Sequence, residues 1–212
     1  PALCKEASVE VSLVKQRTLI LAPGSLFKED LRTWANAVTL IRSVGGLVLF
    51  SVAALEHSLW WNLAGLGLYW GLDCLDGFLA RALDQETAFG AQLDILSDRF
   101  LMAFFYLNYL ALHPELAVVI ALFLFEFMVL DHYLSNQFMR WHLLSPNYFY
   151  VVDKAIWRLN WSAPAKFLNS TVVTILLRAT GSIWPVLPIV TALIAVKLYS
   201  CVRLHQLPSP GT

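Results

Sequence analysis

Four aspartates, Asp73, Asp76, Asp94 and Asp98, stand in a stretch otherwise apolar enough for a lipid bilayer. An ionised carboxylate in hydrocarbon costs about 3 kcal/mol or more unless it is paired, so an acidic quartet there marks a site. Asp73 and Asp76 lie three residues apart and Asp94 and Asp98 four apart, which puts each pair on one face of its own helix. The turn from Ala82 to Phe89 makes those helices antiparallel. At a rise of about 1.5 Å per residue, Asp76 sits roughly 7 Å below Arg81 and Asp94 roughly 6 Å below Gly90, so the pairs meet at similar depth. Hard carboxylate oxygens at that density suit Mg²⁺ or Mn²⁺, and a pair of ions could neutralise a pyrophosphate. Acids that only tied helices together would repel one another.

The elements that must position these acids are membrane helices. The chain has 212 residues, 58% of them hydrophobic and 14% charged, with mean hydropathy +0.62, far from a soluble domain. A window of about twenty apolar residues gives six spans, near 37–55, 60–83, 89–112, 115–136, 164–180 and 184–202. The fold expected is all-α and integral to the membrane, with six transmembrane helices. Residues 1–36 form an N-terminal segment, 37–204 the catalytic membrane domain and 205–212 a flexible tail. Ser25 can cap a short amphipathic helix whose Leu26, Phe27, Leu31 and Trp34 rest on the membrane surface. Lys5, Lys15, Arg17, Lys28, Arg32, Arg42, Arg81, Arg140, Lys154, Arg158, Lys166, Lys197 and Arg203 fall on one side of this topology, with Arg178 the exception. By the positive-inside rule that side, with both termini and the aspartates, faces the cytoplasm of a bacterial cell or of the endoplasmic reticulum. Trp60, Trp61 and Trp184 then lie at the far interface.

Other classes find little support. The formal charge is zero and no arginine-rich tract occurs, so nucleic acid is not an expected partner. Cys4, Cys74 and Cys201 are odd in number and scattered, which suits neither a disulfide framework nor a zinc cluster. Residues 1–28 lack the apolar core and cleavage site of a signal peptide. A proton- or metal-coupled transporter would use membrane acids too, but near the midplane and within internal repeats, and no repeat is visible here.

The order Asp73, Asp76-Gly77, Ala80-Arg81, Gly90, Asp94, Asp98 resembles the CDP-alcohol phosphotransferase (CDP-alcohol phosphatidyltransferase) signature at all eight fixed positions. A chance match has a probability on the order of 10⁻⁹ per starting point. The resemblance implies that Asp73, Asp76 and Asp94 are the main metal ligands, and that Asp98 is both ligand and the base that deprotonates the acceptor hydroxyl. It implies further that Gly77, Ala80, Arg81 and Gly90 meet the nucleotide and its phosphates, with Gly90 letting the third span start close against the second. Asn36, Thr39 and Arg42, three apart on one face, are similar to polar positions that precede the signature in this family, although Ala35 stands where many members have Pro.

Within the family the text around the signature is similar to the phosphatidylinositol synthases, where Ser or Thr precedes the last aspartate and Arg follows it, as Ser97 and Arg99 do here. By implication the donor is CDP-diacylglycerol, the acceptor a small polyol such as inositol, and the product leaving is CMP. Sibling reactions on glycerol 3-phosphate, inositol phosphate, serine or an aminoalcohol remain open. Arg99, Asp131 and Lys166 are the candidate acceptor contacts. Arg99 could instead be a charge partner for Asp98, and Lys166 could snorkel to head groups. Glu126 could, like Asp131, hydrogen-bond inositol hydroxyls, but its depth in the fourth span favours a structural role or a homodimer interface, and His132 and His142 read as interfacial polar residues. Residues 140–161, rich in aromatics amid charges, could roof the site.

Overall fold

The computed structural model describes residues 31–208. The juxtamembrane helix expected around Ser25 and the last residues of the tail lie outside them. The described residues are all-helical, with no strand. Helix α1 spans Trp34–Leu55, α2 Leu59–Ala82, α3 Ala88–Leu112 and α4 Pro114–Met139. A 3-10 turn, Pro146–Val151, leads to the short α5, Lys154–Asn160, then α6 over residues 163–180 and α7, Leu187–His205.

Four of these, α1, α3, α4 and α7, are long and apolar enough to cross a membrane. The other two expected spans do form helices, but α2 carries Asp73, Asp76 and Arg81 and α6 is shorter and richer in polar residues. Helix starts follow local chemistry. The Thr33 side chain accepts from Asn36 N at 3.1 Å to open α1, and that of Thr87 accepts from Gly90 N at 2.9 Å to open α3. Ser162 caps α6 with Pro164 in its first turn, and Gly181, at φ +55°, closes it in the left-handed region.

Two apolar clusters sit at opposite ends of the bundle. One gathers Phe50, Leu101, Tyr106, Phe123, Val173 and Val190; the other gathers Ile95, Leu134, Phe138, Phe149, Ile156 and Leu204. Between them runs a polar layer that contains the site. α1 and α2 pack closely because Gly65 faces Phe50, where a Cβ would come within 2.5 Å of the ring.

Residues 143–161 fold over the second cluster and are tied down on several sides. Tyr148 donates to Glu86 in the α2–α3 turn, Lys166 Nζ to Asn147 Oδ1 at 2.6 Å, and Asn160 Nδ2 to Ser200 Oγ at 2.8 Å. Asp153 caps α5 through the Ala155 and Ile156 N–H groups, both at 2.8 Å, and accepts from Arg203 Nε at 3.0 Å. Burial pushes the Asp153 carboxyl up, but the Ile156 N–H, Arg203 and the Ala155 N–H outweigh it and hold it below the usual value. A depressed carboxyl stabilises above its unfolded pKa of about 3.9, and that contribution is lost as pH falls through the lower folded value. Asp153→Ala should therefore cost about 1 kcal/mol near pH 7 and less at an acid pH below the unfolded value. Thermal unfolding in detergent at both pH values checks this, and an equal loss at both would remove the charge from the account.

Candidate active site

The four aspartates converge at the cavity end of α2 and α3. One carboxylate oxygen each from Asp73, Asp76 and Asp94 lies within 4.8 Å of the others. Asp98, one turn further along α3, is outside that trio. All four surround Arg42 of α1, whose guanidinium is wholly buried: it pairs with Asp73, with Asp94 at 2.6 Å, with Asp98 at 3.3 Å and with Asp76 at 3.6 Å. The Tyr69 ring lies 5.4 Å from the guanidinium. Hydrogen bonds set the carboxylates further. The Thr39 hydroxyl, 3.1 Å from the Ala35 carbonyl, donates to Asp76 Oδ2 at 2.8 Å, and the Ser43 and Ser97 hydroxyls meet at 2.7 Å to join α1 to α3.

This donor set fits a divalent metal. The oxygens are hard, three converge from two helices, and the single Arg42 charge is too small to offset four carboxylates. Asp98 Oδ1 is buried with no aligned hydrogen bond and has only the Arg42 ion pair at 3.3 Å.

The acids open onto a cavity of about 820 Å³. Asn36, Thr39, Gly77, Ala80, Arg81 and Gly90 line it near the α2–α3 turn, while Arg99, Asp131 and Lys166 line it from α3, α4 and α6. The sequence-expected residues are thus brought to one chamber. A Cβ on Gly77 would meet nothing nearer than the Arg81 guanidinium, at 3.3 Å, so this wall is clear of fixed obstacles. Gly90 differs in detail from expectation. The close partner is the first span rather than the second, since a Cβ would come within 2.7 Å of Asn36 Oδ1 and 2.9 Å of Thr87 Oγ1. Arg99 donates to Asp131 and, at 3.3 Å, to Ser135, whereas Asp98 has Arg42 as its cation. Glu126 is completely buried.

Spacing had flagged Arg42, but not its place among all four acids, which depends on how α1 packs into the groove between α2 and α3. Tyr69, Asn169 and Lys197 were missed as site neighbours. Lys197 carried the available signal, a charge inside an apolar helix, but entered the sequence reading only as one of the basic residues on the cytoplasmic side. Leu144, Ser145, Asn147, Asn160 and Trp161 line the cavity as the expected roof.

An apolar helical bundle whose acidic cluster could hold a divalent ion beside a large polar chamber has the parts that a membrane phosphotransferase needs. A family model for CDP-alcohol phosphatidyltransferases matches residues 32–198, and the chain belongs to that family. No curated protein and no solved structure gives a match. The protein is accordingly a transferase that moves a phosphatidyl group from a CDP-alcohol to an acceptor at a membrane, in a family that uses a divalent metal.

Thr39→Val removes the donor that orients Asp76 without changing side-chain size. The expected result is a rise of about tenfold in the Mn²⁺ concentration for half-saturation, read by titration of the purified protein. Unchanged Mn²⁺ affinity would remove Thr39 from that role.

Proposed function

We propose that the protein transfers the phosphatidyl group of CDP-diacylglycerol to a hydroxyl of an uncharged polyol, inositol, and releases CMP. The observation that carries the acceptor reading is the state of the cations around the cavity. Arg42 is committed to four aspartates and Arg99 to Asp131, which leaves Arg81 and Lys166 as the cavity cations without a carboxylate partner among the described residues. Arg81 lies where the family resemblance calls for the nucleotide's phosphates, and Lys166 is held by the neutral Asn147 amide. Hydroxyl and amide side chains, Ser135, Ser145, Asn160, Asn169, Ser170 and Thr171, make up much of the remaining polar lining. Such a wall suits hydroxyls better than a second phosphate.

In this reading Asp73, Asp76 and Asp94 would hold Mg²⁺ or Mn²⁺, two ions with help from Asp98, and the bound metal would supply charge neutralisation for the pyrophosphate and the CMP leaving group. Gly77 and Ala80 give the nucleotide a smooth floor, with Asn36, Thr39 and Gly90 at its turn end. Arg81 offers a guanidinium fork to phosphate. An inositol hydroxyl loses its proton to the Asp98 carboxylate, and its oxygen forms a bond to the phosphorus next to diacylglycerol. The bond from that phosphorus to the CMP oxygen breaks, and the electron pair leaves with CMP. Arg99 and Asp131 contact the acceptor's other hydroxyls.

The reading takes α2 and α6 as spans too, giving six with the site at the cytoplasmic face. α2 is about 36 Å long at 1.5 Å per residue, enough to cross, and its acids face the cavity rather than lipid. Arg81, Lys154, Arg158, Lys166 and Arg203 support the cytoplasmic assignment, while Trp60 and Trp184, both more than 80% exposed, suit the far interface.

Two experiments test this. CMP release from CDP-diacylglycerol, with inositol, inositol phosphate, glycerol 3-phosphate and serine compared in parallel, should depend on inositol; dependence on another acceptor would overturn the polyol assignment and keep the reaction. Asp98→Asn should retain metal-dependent CMP binding and lose turnover by at least about 10³-fold. Substantial turnover in that variant would take the base role from Asp98.

A further inference from the structure

Lys197 lies within apolar α7 at 2% exposure, and four helices supply its surroundings. Its ammonium donates to Asp131 and stands 3.9 Å from Glu126 Oε1. Arg99 reaches the other oxygen of Asp131, with its guanidinium 3.8 Å from the centroid of the Phe127 ring. With its amide nitrogen turned towards Glu126, Asn169 donates to both carboxylate oxygens, at 3.1 and 3.2 Å. Residues from α3, α4, α6 and α7 thus form one charged network, and Arg99, Phe127, Asp131 and Asn169 are also cavity wall.

The backbone is shaped around this network. Residues five apart point about 140° from one another on an α-helix of 3.6 residues per turn. α4 departs into a π segment, Glu126–Asp131, that begins and ends on the two carboxylates, and an i→i+5 turn brings both towards Lys197. A second π segment, Phe167–Val172, carries Asn169. Buried ion clusters are poor stabilisers compared with apolar packing, and π segments are frequent at functional sites. The Nε and Nη1 groups of Arg99 are buried with no hydrogen-bond partner among the described residues, donors left for a ligand in the cavity.

We propose that Lys197 is a positioning residue for the acceptor subsite: it pins one oxygen of Asp131, so that the other holds Arg99 in the cavity wall beside Asp98. The inference rests on the reading that Arg99 and Asp131 face the acceptor. With Lys197 gone, Asp131 has a single cation, can rotate, and carries Arg99 with it.

The test is steady-state CMP release with donor and acceptor varied separately, using inositol or whichever acceptor supports release in the panel above. Lys197→Met should raise the acceptor KM about tenfold or more, leave the CDP-diacylglycerol KM within about twofold, and be largely rescued by Lys197→Arg. The Lys197→Met/Glu126→Gln variant, which removes one positive and one negative formal charge together, carries the same expectation if the single variant does not fold. Folding is read from metal-dependent CMP binding. Equal shifts in both KM values, or none, in a variant that binds CMP would overturn the positioning role. Arg99→Gln separates the two levels. No rise in acceptor KM there would overturn the acceptor reading of this wall, whereas a rise there with none at Lys197 would overturn the positioning inference alone.

Discussion

Four carboxylates held around one buried arginine are the constraint from which the rest of this fold follows. Arg42 cannot stand in an apolar bundle without counter-charges, and the aspartates cannot stand together without cations. Each set solves the other's problem in part, leaving an excess of negative charge that a divalent metal suits. The arrangement requires three helices to meet at one depth, which explains the small residues where they cross. Gly90 lets α3 touch Asn36, and Gly65 lets α2 fit beneath Phe50. Thr39 and the Ser43–Ser97 pair then fix the register and the orientation of the acids.

The second half of the bundle serves the same end by different means. α4, α6 and α7 place a charged layer between two apolar clusters, level with the aspartates, and two π segments adjust the backbone to do so. The segment over residues 143–161 lines one side of the chamber and is anchored to α7 through Asp153 and Asn160.

Much of this was legible in the sequence because periodicity and spacing are local properties. The gaps between the aspartates already fix which helix face they share, and long apolar runs already require helices. The eight-position signature was enough to name the family, as the match over residues 32–198 bears out. What sequence could not reveal depends on packing between distant segments. The partner of Gly90 is set by the path of α1, and the partner of Arg99 by a carboxylate on another helix. Lys197 was counted only among the basic residues of one side because a linear scan does not know that Asp131 and Glu126 lie across from it. The π segments were invisible too, since nothing in Glu126–Asp131 or Phe167–Val172 breaks an α-helical pattern.

The most direct test of the account is CMP binding to the purified protein, measured with Mg²⁺ or Mn²⁺ and again after chelation. Binding that requires the divalent ion, and falls when Asp94 is replaced by Asn, is the predicted result. Binding that persists unchanged in chelator would contradict the account, because Arg42 and Arg81 alone would then suffice to hold a nucleotide against four aspartates.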